Sequence, residues 1–218
     1  YDGIQIDFEL IPGRDADNFI SFLKELSDLA KKQEKVFSVC VPARVKTISD
    51  DVFPYKKIGD LADKVIVMAY DEHWSTSKAG PIASFKWCQK IVDYSVTVIP
   101  QEKLVMGLPF YGRTWSEKKP AQAWYYSGIN RIMKENGAKK VEYIDGIPSV
   151  KFNMDVEVTG FFEDVNSVVQ KMRLYDYKNV KNIAFWRIGQ EDSDVWDWIK
   201  INDATANLEE SEETTETK

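Results

Sequence analysis

The stretch Tyr1-Asp2-Gly3-Ile4-Gln5-Ile6-Asp7-Phe8-Glu9 decides the fold. From Ile4 onward its apolar residues alternate with polar ones, and this period of two predicts a β-strand. Asp7 and Glu9 then lie on one face of the strand, separated by roughly 6.6 Å of rise. Two carboxylates on one face must be paired or reach water. The segment is therefore either a strand that ends in a ligand crevice or a solvated edge strand with two surface acids.

Strand and helix patterns alternate along the rest of the chain, and this alternation predicts parallel βα units. We expect five neighbouring parallel strands in chain order, with Glu9, Tyr70, Tyr111 and Trp186 gathered on one rim at their carboxyl ends. The predicted strands cover residues 1–9, 35–41, 64–70, 103–108 and 182–186, and the main helical patterns lie near 19–29, 84–96 and 162–175.

Residues from about 114 to 160 break this rhythm. They contain a helical pattern at 127–136 and two short strand-like pieces, near 140–144 and 149–152. We interpret the segment as a small α+β insertion on one βα loop.

Length and composition fit one globular domain, which we place at residues 1–202 of the 218. Residues 203–218 hold six acids and one lysine, which contribute −5 of the net charge of −6. With almost no large apolar residues, this tail is predicted to be disordered. The remainder is nearly neutral, so a nucleic-acid partner is not expected. No apolar run is long enough to span a membrane.

The sequence offers no pattern for a metal or cofactor site. His73 is the only histidine, and Cys40 and Cys88 are isolated thiols without metal-ligand spacing. We expect both cysteines to be small buried hydrophobic residues. The predicted site therefore needs neither a metal nor an organic cofactor.

The opening nonapeptide resembles the active-site strand of glycoside hydrolase family 18, the chitinases and their relatives. That family has Asp-Gly followed by three acids at alternate positions, the last a glutamate. Asp2-Gly3, Asp7 and Glu9 match this pattern, whereas Gln5 occupies the position of the first acid. In having an amide at that position, the sequence resembles the bacterial branch that includes spore-cortex and peptidoglycan N-acetylglucosaminidases.

Three later motifs are similar to the same family and occur in its order. Met68-Ala69-Tyr70-Asp71 ends the third predicted strand, Gly107-Leu108-Pro109-Phe110-Tyr111-Gly112-Arg113 ends the fourth, and Phe185-Trp186 ends the fifth. The segments 70–74 and 161–164 also resemble the bacterial branch. The resemblance implies an eight-stranded (β/α)8 TIM barrel, of which this chain holds strands four to eight. We therefore expect an incomplete barrel whose upstream part is missing.

The resemblance also implies roles for individual residues. Glu9 is the general acid and then the base, and Asp7 orients and charge-stabilises the substrate's acetamido group. Tyr70 donates a hydrogen bond to the acetamido oxygen, and Trp186 forms the floor under the sugar ring. The other predicted substrate-binding residues are Gln5, Asp71, Tyr111, Arg113 and Trp74.

Several of these residues have alternative interpretations. Asp71 could cap a turn, Arg113 could pair with an acid beneath the site, and Trp74 with His73 could line an outer sugar subsite. The aromatic run 124–126 could be a sugar platform, but we predict that it belongs to the core of the insertion.

These expectations predict a glycosidase that cleaves β-1,4-linked N-acetylglucosamine with retention by substrate-assisted catalysis. Peptidoglycan is the first choice of substrate and chitin the second, and the family resemblance implies action outside the cell or in its envelope. The alternative is a catalytically silent sugar-binding barrel, similar to chitinase-like lectins. Half a barrel leaves open strand edges, so the activity of the isolated chain is in doubt.

Overall fold

A computed structural model of the chain describes residues 1–116, 119–153 and 157–199. The predicted disordered tail, 203–218, lies outside the described residues. Within them, every helix is too short or too polar to cross a bilayer.

Five parallel strands form one of two sheets, in the predicted order. Each strand hydrogen-bonds to the next in chain sequence, so the first and the last are the two edges of the sheet. The strands are β1 (Gly3–Ile6), β2 (Val36–Pro42), β3 (Lys64–Met68), β4 (Leu104–Pro109) and β10 (Asn182–Trp186). This arrangement confirms the expected incomplete barrel, with β1 as an exposed edge.

Four helices cover one face of this sheet. The main apolar core lies between these helices and that face. The core side chains come from alternate strand positions, such as Val39, Val65 and Met106, each 0% exposed. The same alternation places Asp7, Cys40 and other residues on the opposite, concave face. The helices are α1 (Ala16–Lys32), α2 (Tyr55–Leu61), α3 (Phe85–Val98) and α5 (Val165–Tyr177).

The first strand is shorter than its sequence pattern predicts. It ends at Ile6, although the alternation continues to Glu9. Pairing with β2 ends with Ile6 beside Val39, and Phe8 instead stacks on Phe22 of α1 with ring centroids 5.7 Å apart. Phe8 thus packs on the same side as Ile6, and the alternation leaves Asp7 and Glu9 facing the cavity on the other side.

The insertion is a second sheet rather than two isolated strand-like pieces. Its five antiparallel strands, in the order β6-β5-β9-β8-β7, are accompanied by one helix. The predicted helix and strand pieces correspond to α4 (Tyr126–Glu135), β7 (Val141–Ile144) and β8 (Ile147–Asn153), whereas β5 (Tyr111–Ser116), β6 (Lys119–Tyr125) and β9 (Glu157–Phe161) lacked a recognisable pattern.

A buried ion pair joins the end of the insertion to α5. Lys171 Nζ donates to the carboxylate of Glu163, and both side chains are only 1% exposed. The Ser167 hydroxyl donates to the same oxygen. Burial raises the pKa of Glu163, and the neighbouring ammonium opposes that shift. The pair therefore fixes α5 beneath the insertion through mutual charge compensation.

We predict that Lys171→Met destabilises the fold by about 3–5 kcal/mol, because it leaves the Glu163 carboxyl buried without its cation. Urea unfolding followed by circular dichroism measures the change. Lys56 in the exposed pair with Asp60 is the matched control, and Lys56→Met should cost less than about 1 kcal/mol. A Lys171→Met variant as stable as the wild type would contradict a structural role for the pair.

Candidate active site

A cavity of about 250 Å³ opens at the carboxyl ends of the parallel strands, on the rim shared with the insertion. Residues in or just after three parallel strands, β1, β3 and β10, converge on it with residues of the second sheet. This confirms the expected convergence of Glu9, Tyr70, Tyr111 and Trp186. Its lining is Asp7, Glu9, Met68, Tyr70, Asp71, Tyr111, Arg113, Ala123, Trp124, Tyr125, Trp186 and Gln190.

The acidic side of the cavity combines Asp7, Glu9 and Tyr70. The two carboxylic residues follow β1 and are exposed to solvent. Tyr70 follows β3 and is partly buried. Burial most of all, and then neighbouring acidic groups including Asp7, raise the pKa of Tyr70. Its hydroxyl therefore stays protonated at neutral pH and is available as a hydrogen-bond donor.

The position of Tyr70 depends on a glycine in the adjacent strand. A Cβ atom at Gly107 would lie 3.0 Å from Tyr70 Cε1 and 2.9 Å from the carbonyl oxygen of Val67. Any larger residue would displace the ring. The Gly107 found in the fourth-strand motif thus provides the space that the tyrosine occupies.

Asp71 is the acceptor at the centre of a small polar cluster. Its φ of 58° lies in the left-handed region, which is uncommon for a residue other than glycine. The Tyr111 hydroxyl donates to Asp71 Oδ1 at 2.7 Å, and Arg113 Nη2 donates to the same oxygen at 2.7 Å. Burial, and then the Asp71 charge, raise the pKa of Tyr111. The cluster matches the interpretation in which Arg113 pairs with an acid, although all three residues also line the cavity.

Aromatic residues form the apolar walls of the cavity. Trp186 at the end of β10 is 52% exposed and Tyr125 is 49% exposed. Trp124 Nε1 donates to Thr114 Oγ1 at 2.8 Å, which fixes the indole ring. Tyr126 packs against Phe162 in the core of the insertion. The prediction that the aromatic run belongs to that core is confirmed for Tyr126 and for Trp124, which packs against the core and also lines the cavity. It was wrong for Tyr125, which is half-exposed and lines the cavity.

Three residues that the sequence suggested for substrate binding do not line this cavity. The side-chain oxygen Oε1 of Gln5 accepts a hydrogen bond from Ser38 Oγ at 3.3 Å. Trp74 is 53% exposed, and its Nε1 donates to Thr76 Oγ1 at 3.0 Å. The His73 ring packs on Gly80, where a Cβ atom would lie 2.4 Å from Cε1.

Cys40 is a site neighbour that the sequence alone did not indicate. It is buried on β2. Burial, and then the nearby charge of Asp7, raise the pKa of its thiol. The strand period alone could have placed Cys40 on the concave face.

A second cavity, of about 500 Å³, adjoins the first and has Glu9, Met68, Tyr70 and Asp71 in common with it. Its further lining is mainly apolar, with one ion pair. Arg44 donates to both carboxylate oxygens of Asp51, at 2.9 and 3.0 Å. Glu9 therefore lies between two spaces, one walled by Trp186 and one reaching along the loops that follow β1 and β2.

The chemistry available at the site is that of carboxylates, phenols and aromatic faces. Within residues 1–116, 119–153 and 157–199, His, Cys, Asp and Glu side chains form no group of three that could hold a metal ion. The arrangement can donate and accept protons at Glu9 and bind an apolar ring face against Trp186.

Comparison with known sequences identifies one protein family. The sequence model of "Glycosyl hydrolases family 18" matches residues 1–191. The chain is 27% identical over 216 residues to the uncharacterized glycosylase YvbX of Bacillus subtilis, covering 92% of this chain and 61% of that protein. It is 24% identical over 215 residues to the cortical fragment-lytic enzyme of Bacillus subtilis, covering 92% and 49%. The chain thus spans about half to three fifths of the length of these relatives.

Two solved structures show the same architecture. The Bacillus cereus spore cortex-lytic enzyme SleL superposes with a TM-score of 0.82 at 21% identity, covering 90% of this chain and 48% of that one. A chitinase from Chromobacterium violaceum superposes with a TM-score of 0.80 at 26% identity, covering 90% and 64%. Together with the matched family model, the four strand-end motifs and their convergence on one cavity show that this chain belongs to glycosyl hydrolase family 18.

Proposed function

We propose that the protein hydrolyses β-1,4-linked N-acetylglucosamine glycans with retention of configuration, by substrate-assisted catalysis. The observation that carries this proposal is that Asp7, Glu9, Tyr70 and Trp186 all line one cavity. It combines a proton donor, a negative charge, a phenolic donor and an apolar platform, which are the groups that such a reaction needs.

In the proposed first step Glu9 protonates the glycosidic oxygen, and the bond from that oxygen to the anomeric carbon breaks. The substrate's own acetamido oxygen attacks the anomeric carbon and forms an oxazolinium ion. Asp7 stabilises the positive charge that spreads onto the acetamido group, and Tyr70 donates a hydrogen bond to its oxygen. In the second step Glu9 removes a proton from water, and the water oxygen forms a bond to the anomeric carbon. The bond from that carbon to the acetamido oxygen breaks, which opens the oxazolinium ring and regenerates the acetamido group with net retention.

The two cavities suggest how the substrate lies. Trp186 gives the first cavity an apolar floor, so we place the sugar that is attacked there. Glu9 lines both cavities, and a general acid must face the leaving group. We therefore place the leaving sugar in the second cavity, beside Arg44 and Asp51.

The Asp71 cluster supports this site from below. Arg113 is largely buried and its charge is compensated by Asp71. A compensated guanidinium is better suited to hold Asp71 and Tyr111 in place than to attract an anionic ligand. We therefore assign Arg113 to positioning and Asp71 to substrate contact, since Asp71 has the more exposed side chain of the pair.

We favour peptidoglycan over chitin as the polymer. The support is that one bacterial relative is named for acting on cortical fragments and one matching structure is a spore cortex-lytic enzyme. Such a substrate implies action in the cell envelope or outside the cell. Arthropod chitinases and chitinase-like proteins match over shorter parts of the chain, and chitin oligomers are the second candidate.

The alternative is a sugar-binding protein without catalysis. A lectin would need the platform and the acetamido contacts but not a transferable proton. Glu9 is retained, exposed and directed into the cavity with Asp7, and this observation favours the enzyme.

We predict that Glu9→Gln in the full-length protein lowers turnover of N-acetylglucosamine oligomers by about 10²–10⁴-fold, because the amide has no proton to transfer. Binding of the oligomer, measured by calorimetry, should change little. Glu25→Gln, at an exposed position on α1, is the control and should remain fully active. Near-normal turnover of the Glu9→Gln variant would contradict the assignment of Glu9 as the general acid, whereas a wild-type protein that binds the oligomer without cleaving it would favour the lectin.

Substrate assistance predicts that an oligomer with a free amine at the scissile sugar is not cleaved, because it lacks the acetamido nucleophile. A thiazoline analogue of the cyclised intermediate should inhibit, since the site is complementary to that ion. Matched acetylated and deacetylated oligomers, analysed by mass spectrometry, provide the test. Equal cleavage of both, or a glycosyl ester trapped on Asp7, would contradict the mechanism.

We further predict that Asp7→Asn lowers kcat more than it raises KM. The charge of Asp7 matters most as the oxazolinium ion forms, so its loss acts mainly on the transition state. Steady-state kinetics on an acetylated oligomer measure both constants. A variant that raises KM alone would instead assign Asp7 to ground-state binding.

A further inference from the structure

The residue that follows Glu9 has a backbone conformation that its residue type disfavours. Leu10 has a φ of 52°, in the left-handed region. A side chain with a Cβ atom is sterically crowded there, and glycine, asparagine and aspartate are the usual occupants. The Leu10 side chain is 95% exposed, so its own packing does not explain the conformation. A residue keeps such a conformation only where the surrounding structure imposes it.

Apolar contacts fix the chain on both sides of Leu10. Phe8 stacks on Phe19 and Phe22 of α1, with ring centroids 6.3 and 5.7 Å apart. Ile11 packs against the main core. Phe8 and Ile11 are three residues apart, and both pack on the side of the sheet that the helices cover.

A chain extended from Phe8 to Ile11 could not produce this arrangement. Residues an odd number apart on a strand point to opposite faces, so an extended Ile11 would share the cavity face with Glu9. The chain must therefore change direction between Glu9 and Ile11, and the left-handed residue between them is Leu10. The turn returns Ile11 to the core while Glu9 stays in the lining of both cavities.

We propose that Leu10 is a positioning residue whose left-handed backbone conformation, rather than its side chain, holds the Glu9 carboxyl toward the cavity. The aim of Glu9 at a glycosidic oxygen rests on the function proposed above, whereas the turn itself does not. A reacting group misplaced by about 1 Å can cost about 10²-fold in rate. The conformation at Leu10 should therefore affect kcat more than KM.

The rival explanation is a direct contact between the Leu10 side chain and the substrate, because Leu10 also lines the second cavity. A contact would require an apolar side chain at position 10, whereas a positioning turn requires a residue that tolerates positive φ. Isoleucine is apolar and has the volume of leucine, but its branched Cβ makes positive φ a strong outlier. Asparagine is polar and accepts the left-handed region. These two residues separate the explanations.

The kinetic test uses the full-length protein and an acetylated oligomer. Leu10→Ile should lower kcat about 10–100-fold, with KM within about threefold. Leu10→Asn should keep kcat within about threefold of the wild type. Leu10→Thr, with a smaller β-branched residue, should follow Leu10→Ile and replaces it in the comparison if the isoleucine variant does not fold. Melting curves by circular dichroism establish which variants are folded when their kinetics are measured.

Glu34 provides a matched control for the strain itself. It is exposed, has a φ of 53° and lies between α1 and the amino end of β2, away from the rim that holds the cavity. Glu34→Ile places a β-branched residue in the same conformation. It should lower the melting temperature and leave kcat unchanged.

Three kinetic results would overturn the proposal. They are a wild-type kcat in the folded β-branched variants of Leu10, a Leu10→Asn variant as impaired as Leu10→Ile, or an equal loss of kcat in Glu34→Ile.

Crystal structures of the full-length wild type, Leu10→Ile and Leu10→Asn test the positioning without any turnover. The Glu9 carboxyl should leave the lining of the first cavity in Leu10→Ile and remain there in Leu10→Asn. An unmoved carboxyl in Leu10→Ile overturns the proposal. If the wild type fails to cleave any oligomer while the carboxyl moves as expected, the proposed function is wrong and the positioning of Glu9 stands.

Discussion

The parallel register between β1 and β2 is the constraint on which the site depends. Side chains alternate between the two faces of a strand, so a slip of one residue would exchange them. In the observed register Ile6 is buried against the helices, and Asp7, the next residue, lines the cavity on the other side. A slip would bury both acids in the apolar core, where an unpaired charge is very costly. The same alternation that forms the core therefore presents the carboxylates to the cavity.

The second sheet forms part of the wall of the cavity. β5 begins at Tyr111, directly after β4, so the fourth-strand motif links the two sheets. Tyr111 and Arg113 on β5 both donate to Asp71 at the end of β3, and β6 supplies Trp124 and Tyr125 to the wall. The insertion is thereby coupled to the catalytic rim through one carboxylate. Its position and the substrate platform should change together.

The sequence predicted the parallel strands because βα alternation is a local and repeated signal. It predicted the convergence of Glu9, Tyr70, Tyr111 and Trp186 because strand carboxyl ends share one rim. β9 was missed because its pairing with β5 is non-local: Gly112 lies so close to Phe161 that a Cβ atom would be 2.5 Å from its carbonyl oxygen. Close approach between distant segments leaves no periodic pattern.

The central claim is that the acetamido group of an N-acetylglucosamine unit binds at Asp7 and Tyr70, above Trp186. A crystal structure of the full-length Glu9→Gln variant with an N-acetylglucosamine oligomer tests it most directly. The account predicts one sugar ring stacked on Trp186, its acetamido oxygen within hydrogen-bonding distance of the Tyr70 hydroxyl, and the glycosidic oxygen beside residue 9. An oligomer bound elsewhere, or bound here with its acetamido group directed away from Asp7, would contradict the account.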